Sequence, residues 1–387
     1  MELSKLAEQI PPSGIRAFFD LVLGMKDVIS LGVGEPDFVT PWNVREAAIY
    51  SLEEGYTSYT SNKGMFELRQ DISRFLKHRH GLEYDPENEI LVTVGVSEAF
   101  DLALRALINP RDMVLIPEPS YVSYGSLVML CGGTPVSIRT LPANGFKISG
   151  REINAHSGKR PKALILNDPN NPTGAAYRKE ELKDIAKAVE KHNLIMISDE
   201  IYSELTYDFD HTPFPCLPRM KERTIYLNGF SKSYAMTGWR IGYACGPKKI
   251  MDLMTKIHQY TIMCAPITAQ MAAREALKNG ERSVQEMRRE YRRRREFVIA
   301  GLNDIGLSCH KPEGAFYAFP SIRRTGLSSL DFSRQLLKKE KVAVVPGTAF
   351  GPAGEGHIRI SYASSLDNLK EAISRMKRFL RGKCSSN

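Results

Sequence analysis

The residue best suited to covalent chemistry is Lys232, in the segment LNGFSKSYAMTGWRIGYACGP at residues 227–247. Its neighbours are small or apolar, although lysine side chains are usually exposed to water. Arg240 follows eight positions later in the same segment. A lysine attacks a carbonyl only as the neutral amine, and both burial and a nearby cation lower the pKa of a lysine. The segment therefore predicts that Lys232 is a nucleophile.

Two other segments supply groups that a pyridoxal phosphate site requires beside a lysine. Asp199 ends the apolar run LIMISD, so its carboxylate is a candidate partner for the pyridine nitrogen, and Tyr202 is a candidate donor to the ring oxygen. Glu200 faces the other side of an extended chain, so it should not join Asp199 in an acid–base pair. The run LVTVGVSEAF predicts a helix starting near Val96 and Ser97, where free amides and the helix dipole favour a phosphate.

Signatures of other cofactors are missing from the sequence. Gly32 and Gly34 lack a third glycine at dinucleotide spacing, and the GFSKS segment has Ser231 where a phosphate-binding loop needs glycine. The 6 cysteines show no paired spacing and the 8 histidines are scattered, so we expect no metal site and no disulfide framework.

The composition argues against nucleic-acid and membrane partners. The net charge is +9, and the densest basic stretch is MRREYRRRREF at residues 287–297, but glutamates interrupt this run, so we expect a solvated helix face. No apolar run approaches the roughly 18 residues of a membrane span. The first residues lack the features of a signal peptide, and we therefore expect a cytoplasmic protein.

Short apolar runs alternate with amphipathic helical patterns between residues 89 and 245. The runs are EILVTVG, MVLIP, ALILN, LIMIS, TIYLN and RIGYACG. Such an alternation predicts an α/β fold whose mainly parallel sheet is sandwiched by helices. The pattern changes near residue 284, so we expect a large domain at 44–283 and a smaller α+β domain formed by 1–43 and 284–387.

Five motifs, in the same order along the chain, resemble those of the class I/II aminotransferases of pyridoxal phosphate fold type I. They are GEPDF, NPTG, SDEIY, SKSYAMTGWRIGY and RISYA, and together they span nearly the whole chain. The closest likeness is to the archaeal and bacterial aminotransferases that act on aromatic amino acids or aspartate. This resemblance implies that pyridoxal 5′-phosphate is the cofactor.

The resemblance also implies roles around the cofactor ring. Lys232 is similar to the lysine that forms the aldimine and shuttles protons, and Asp199 to the residue that holds the pyridinium. Asn171 and Tyr202 resemble the pair that bonds the ring oxygen. Tyr121 resembles the aromatic residue that stacks on the ring. Asp199, Tyr202 and Lys232 are thus the implied catalytic residues.

The phosphate contacts and the assembly are implied in the same way. Val96 and Ser97 match the phosphate cup at a helix start, and Arg240 matches its cation. Tyr59 matches a tyrosine that reaches the phosphate of a neighbouring subunit, which implies a homodimer with shared active sites. Many members carry serine three residues before the lysine, where this chain has Gly229. Ser231 or a backbone amide is therefore the expected substitute.

The implied reaction moves the amino group of an L-amino acid to a 2-oxo acid, with 2-oxoglutarate as the expected acceptor, and follows ping-pong kinetics. Arg359 matches the arginine that grips the substrate α-carboxylate. Gly34, Tyr121 and Asn171 complete the implied substrate site. Aspartate specialists commonly carry tryptophan where this chain has Tyr121, which favours aromatic or broad specificity.

Two alternative functions use the same fold. A carbon–sulfur β-lyase would use the same lysine to eliminate a β-substituent. A pyridoxal-dependent transcription regulator would need a DNA-binding domain ahead of GEPDF, where this chain has only about 30 residues, too few for a typical domain.

Overall fold

The computed structural model describes residues 2–12, 14 and 24–384 of the chain. Its largest sheet has seven strands, ordered β2-β8-β7-β6-β5-β3-β4. A two-stranded sheet pairs β1 with β10, and a three-stranded sheet has the order β11-β12-β9. The strands are β1 (Ile29–Ser30), β2 (Ile90–Thr93), β3 (Met113–Glu118), β4 (Thr134–Arg139), β5 (Ala163–Asn167), β6 (Ile195–Asp199), β7 (Thr224–Gly229), β8 (Gly242–Cys245), β9 (Tyr317–Ala318), β10 (Val342–Ala343), β11 (Val345–Pro346) and β12 (Ile358–Ser361).

Helices connect most of these strands. The α-helices of the described residues are α1 (Lys5–Glu8), α2 (Trp42–Glu53), α3 (Phe66–His80), α4 (Gly95–Leu107), α5 (Ser123–Leu130), α6 (Gly150–His156), α7 (Lys179–Lys191), α8 (Lys248–Thr261), α9 (Ile267–Asn279), α10 (Glu281–Asp304), α11 (Ser329–Glu340) and α12 (Leu366–Cys384). Within the described ranges, no helix combines the length and apolar character needed to cross a membrane.

The large sheet confirms the predicted α/β class. Strands β7, β6, β5, β3 and β4 pair in parallel, and only β8 runs antiparallel to its neighbours β7 and β2. Alternate residues of one strand pack on opposite faces: Leu164 lies in the core cluster that contains α7, and Ile165 in the cluster that contains α4. Helices therefore cover both faces, which explains why these strands are continuously apolar.

The small sheets join distant parts of the sequence. Strand β1 pairs with β10, while β12 lies between β11 and β9. These pairings bring residues near 30 to the part of the chain beyond 284. The domain division at 44–283 stays a prediction, and residues 1, 13, 15–23 and 385–387 of the smaller predicted domain lie outside the described residues.

The basic run at 287–297 lies in helix α10, but the expectation of a solvated face is wrong for two of its arginines. Arg294 and Arg295 are buried, with 7% and 0% of their surface exposed. Arg294 donates to both oxygens of Asp37 at 2.8 Å, and Arg295 donates to Asp208 at 2.7 and 2.9 Å. Carboxylates distant in sequence thus neutralise half of the RRRR run.

Candidate active site

The candidate site lies at one edge of the large sheet. Strands β5, β6 and β7 are parallel and end at Asn167, Asp199 and Gly229. Ligands of such sheets bind beyond the carboxyl ends of the strands. The segment that follows β7 carries Lys232 over the same edge.

Lys232 is partly buried, and its Nζ donates a hydrogen bond to the carbonyl of Gly34 at 2.6 Å. The pKa of Lys232 is lowered to about 8, mainly by burial, with Arg359 and Arg240 also lowering it and Glu35 and Asp199 acting in the opposite direction. About one amine in ten is therefore neutral at pH 7, far more than for an ordinary lysine. That Lys232 is a nucleophile stays a prediction, and its lowered pKa supports it.

Asp199 is buried at the end of β6, with 6% of its surface exposed. Its Oδ2 accepts a hydrogen bond from the Tyr124 hydroxyl at 2.6 Å, and its Oδ1 accepts from the Ile201 amide at 3.2 Å. Burial raises the pKa of Asp199 to about 6, although both hydrogen bonds act to lower it. Glu200 faces away and lies 2.7 Å from His211 Nε2, as expected for adjacent residues of an extended chain.

Two tyrosine side chains and the Gly34 carbonyl form a connected group beside Lys232. The Tyr202 and Tyr317 hydroxyls lie 2.7 Å apart, and the Tyr317 hydroxyl donates to the Gly34 carbonyl at 3.4 Å. Lys232 Nζ lies 5.8 Å from the centre of the Tyr202 ring. The Gly34 carbonyl thus accepts hydrogen bonds from both Lys232 and Tyr317, and it links the lysine to the tyrosine pair.

Arg359 projects from β12 into this group and is buried, with 2% of its surface exposed. Its guanidinium donates to Asn171 Oδ1 at 2.9 Å and to the Gly32 carbonyl at 2.5 Å, and lies 4.6 Å from the centre of the Tyr317 ring. Its Nε is buried without a hydrogen-bond partner among the described residues. A buried cation with a free donor suits a planar anion such as a carboxylate.

The start of helix α4 forms an anion-binding corner with Arg240. Gly95 has φ 76°, and a Cβ added there would lie 2.8 Å from Arg240 Nη2. A Cβ added at Gly242 would lie 2.8 Å from the Val96 amide nitrogen. The Ser97 side chain is exposed at the same helix start. These close approaches exclude additional side chains, and the helix start beside the Arg240 guanidinium suits an anion such as a phosphate.

The structure explains the glycine at position 229. Gly229 ends β7 beside β8, and a Cβ there would lie 2.9 Å from the Gly242 Cα and 3.1 Å from the Ile241 carbonyl. A serine at position 229 would collide with the neighbouring strand. Ser231 is buried next to Lys232, with 8% exposed, and Ser231 or a backbone amide stays the predicted substitute.

Tyr121 and Tyr59 differ in how the chain places them. The Tyr121 ring packs at 5.6 Å against Tyr124, which binds Asp199, so Tyr121 lies beside the site. Tyr59 is 81% exposed, so the single chain does not bring it into the buried cluster.

The other predicted residues fall into two adjoining groups, one around Lys232 and one around Arg240. Arg240 also contributes to the lowered pKa of Lys232.

Sequence reasoning missed Tyr124, Tyr317 and Gly95 as site residues. Tyr124 follows Tyr121 by three residues in PEPSYVSY, a spacing that places two side chains on one face of a helical turn. Gly95 stands between a strand and a helix, where a positive φ is often required. No comparable pattern marks Tyr317, because its neighbours Tyr202 and Arg359 are distant in the sequence.

Comparison with known proteins identifies the family. The family model for aminotransferase class I and II matches residues 26–376. An aspartate aminotransferase of Pyrococcus abyssi is 47% identical over 99% of both chains, and aromatic-amino-acid aminotransferase 2 of Thermococcus litoralis is 44% identical over 99% of both. The crystal structure of an aromatic aminotransferase from Pyrococcus horikoshii OT3 superposes with a TM-score of 0.91 at 46% identity, covering 95% of this chain and 99% of that one.

The fold and the site define a transferase of amino groups, and the chain belongs to the aminotransferase class I and II family. Its cofactor is pyridoxal phosphate. The residues present fit this group: the corner at Gly95 and Arg240 suits the phosphate, and the partly buried Lys232 suits the aldehyde. The buried carboxylate of Asp199 suits a protonated ring nitrogen.

Proposed function

We propose that the protein transfers the amino group of an L-amino acid to a 2-oxo acid, in particular 2-oxoglutarate, and that its specificity for the amino acid is aromatic or broad. The observation that carries this proposal is the meeting of Lys232, with its pKa lowered to about 8, and the buried cation Arg359 at one edge of the sheet. An amine that is both nucleophile and base, beside a carboxylate-binding arginine, suits an α-amino acid.

Lys232 has two tasks in this proposal. Its Nζ would hold the cofactor and, once free of it, would act as the base that removes the proton from the substrate Cα. The cofactor, when bound, withdraws the electrons that this proton leaves behind. In the structure, Nζ donates to the Gly34 carbonyl at 2.6 Å, and this carbonyl provides a resting position for the displaced amine.

Asp199 and the ring-oxygen pair fix the cofactor ring in this proposal. The Asp199 carboxylate holds the proton on the ring nitrogen. Tyr202 and Asn171 would donate to the ring oxygen, and because a phenol has one proton, Tyr202 would then accept from the Tyr317 hydroxyl instead of donating to it. Because Arg359 already donates to Asn171 Oδ1 at 2.9 Å, the Asn171 amide nitrogen is free to face the ring oxygen.

Arg359 orients the substrate. Its planar guanidinium suits a bidentate contact with the α-carboxylate. That contact would satisfy the buried Nε, or replace the hydrogen bond to the Gly32 carbonyl. Gly34 lines the same space, since a Cβ there would lie 2.6 Å from the Tyr317 hydroxyl.

The preference for aromatic or broad substrates has two supports. Tyr121 stands where aspartate specialists commonly carry tryptophan. Relatives named for aromatic amino acids and for aspartate are similarly close to this chain, at 44% and 47% identity. A panel of tyrosine, phenylalanine, tryptophan and aspartate with 2-oxoglutarate tests the preference, and turnover of aspartate alone would contradict it.

Kinetics distinguish amino transfer from the lyase chemistry of the same fold. A transferase that stores the amino group between two half-reactions gives parallel initial-rate lines and releases the first 2-oxo acid before the second substrate binds. Intersecting lines would contradict this order. Release of pyruvate and ammonia from cystathionine without an oxo-acid acceptor would instead identify a β-lyase.

We also propose that two chains share their active sites in a homodimer, and that the enzyme works in the cytoplasm. Helix α2 and the segments around it expose large apolar side chains, among them Trp42, Ile49, Tyr50, Leu52, Tyr59 and Tyr260. Exposed apolar surface of this extent marks interaction sites. The proposed interface brings the exposed Tyr59 of one chain to the phosphate corner of the other.

Complementation tests the shared site directly. Lys232→Ala removes the reactive amine from its own site, and a bulky Tyr59→Trp alters only the contact made to the other chain. Unfolding and refolding the two inactive variants together should restore activity, because half of the sites in mixed dimers are intact. No recovery in dimers shown to be mixed would contradict a contribution of Tyr59 across the interface.

A further inference from the structure

The Tyr124 hydroxyl makes the shortest hydrogen bond to the Asp199 carboxylate, at 2.6 Å. Both side chains are buried, with 2% and 6% of their surfaces exposed. Among the described residues, the donor to the other carboxylate oxygen is the Ile201 amide, at the longer distance of 3.2 Å. Tyr124 is therefore the side chain best placed to control the ionisation and direction of Asp199.

The local fold holds Tyr124 firmly. It lies in the first turn of α5, and its amide donates to the Tyr121 carbonyl at 3.2 Å. Its ring packs 4.7 Å from the ring of Phe100 on α4 and 5.6 Å from that of Tyr121. The turn at the start of α5 thus positions both Tyr121, which is expected to stack on the cofactor ring, and Tyr124, which donates to Asp199. Helix α4, against which Tyr124 packs, also forms the phosphate corner.

We propose that Tyr124 is a positioning residue that keeps Asp199 ionised and directed toward the ring nitrogen of the cofactor. This inference rests on the proposed function, because it takes Asp199 as the partner of that nitrogen. A buried carboxylate without donors takes up a proton, whereas a hydrogen bond to the charged form favours the carboxylate. A protonated Asp199 could no longer stabilise a positive ring nitrogen.

A phenol suits this role because its own charge does not change near neutral pH. Burial and the nearby Asp199 charge raise the pKa of Tyr124 well above its ordinary value, so the hydroxyl remains a neutral donor. An imidazole in the same position would titrate in the working range. Two other charged groups act on Asp199 through their charge: Glu200, which faces away from the site, disfavours the carboxylate, and Lys232 favours it.

The test compares Tyr124→Phe with Tyr84→Phe. The first variant keeps the ring and loses the donor. The second is a matched control, because the Tyr84 hydroxyl is also buried but has no hydrogen-bond partner among the described residues. Carbon-13 NMR of labelled apoenzyme, with the Asp199 signal assigned through Asp199→Asn, measures the ionisation of Asp199 without cofactor.

We expect Tyr124→Phe to raise the titration midpoint of Asp199 above its value of about 6, with no change in Tyr84→Phe. The dissociation constant of pyridoxamine phosphate, which forms no bond to Lys232, should rise about tenfold near pH 6, the loss expected for one hydrogen bond to a charged group. The difference from wild type should shrink near pH 9, where Asp199 is ionised in both proteins. Tyr124→His restores a donor and should recover part of the loss.

An unchanged midpoint and dissociation constant in Tyr124→Phe would overturn the inference. The same holds if Tyr124→His behaves like Tyr124→Phe in both measurements. A different result would contradict the proposed function on which the inference rests. If Asp199→Asn binds pyridoxamine phosphate as tightly as wild type, Asp199 is not the partner of the ring nitrogen. The midpoint of Asp199 in the apoenzyme would still report its coupling to Tyr124, so the two failures are distinguishable.

Discussion

The ionisation of Lys232 gives a quantitative prediction. Burial, with Arg359 and Arg240, lowers its pKa to about 8, compared with 10.5 for an ordinary lysine. At pH 7 about one amine in ten is then neutral, against about one in 3,000 for an ordinary lysine, so the difference in reactive amine is about 300-fold. The protein environment, rather than the lysine itself, supplies this advantage.

The assay is the rate at which apoenzyme takes up pyridoxal phosphate, followed by absorbance over a range of pH. Because only the neutral amine attacks, the rate should rise with pH and level off above about pH 8. The cofactor has its own ionisations, so a small amine of known pKa is measured in parallel with the same reagent. A lysine-like midpoint near 10.5 would refute the reasoning.

Changing the neighbours of Lys232 should move the midpoint in a known direction. Glu35 has the largest effect among the groups that raise the pKa of Lys232, so Glu35→Gln should shift the midpoint to lower pH. Glu35 is exposed, and solvent screening keeps this shift small. Glu180→Gln on α7, an exposed change near Lys183, is the matched control and should have no effect. A shift to higher pH in Glu35→Gln would contradict the electrostatic explanation.

Three further substitutions test the geometry of the site. Gly95→Ala places a methyl group 2.8 Å from Arg240 Nη2 at φ 76°, and it should lower stability by about 1–2 kcal/mol in thermal unfolding and weaken cofactor binding. Arg359→Lys should lower kcat/KM about 100-fold with a much smaller change in cofactor affinity, because lysine lacks the planar fork; equal losses in both would contradict a substrate role. Gly34→Ala should raise KM for the amino acid through the 2.6 Å contact with the Tyr317 hydroxyl, and adding Tyr317→Phe should reverse part of that rise.

Much of the fold follows from short-range patterns. The six apolar runs predicted as strands are β2, β3, β5, β6, β7 and β8, because residues buried on both faces leave a continuous apolar signal. Strand β4 was missed. It lies at the sheet edge, where residues such as Thr134 and Ser137 are exposed and Pro135 breaks the usual strand composition.

The site was predictable only where its residues lie in recognisable motifs. Lys232, Asp199 and Asn171 each follow a buried strand, so their meeting at one edge follows from the parallel topology. The contacts of Tyr124 and Tyr317 depend on how helices and small sheets pack, which no local pattern encodes. The burial of Arg294 and Arg295 was missed for the same reason, since Asp37 and Asp208 lie far away in the sequence.

The central claim is that the amine of Lys232 carries the cofactor. The most direct measurement is borohydride reduction of the holoenzyme, followed by digestion and mass mapping of the modified peptide. We predict one phosphopyridoxyl group per chain, located on Lys232, and none in Lys232→Ala. Attachment at another lysine, or an unmodified Lys232 with cofactor in excess, would contradict the account.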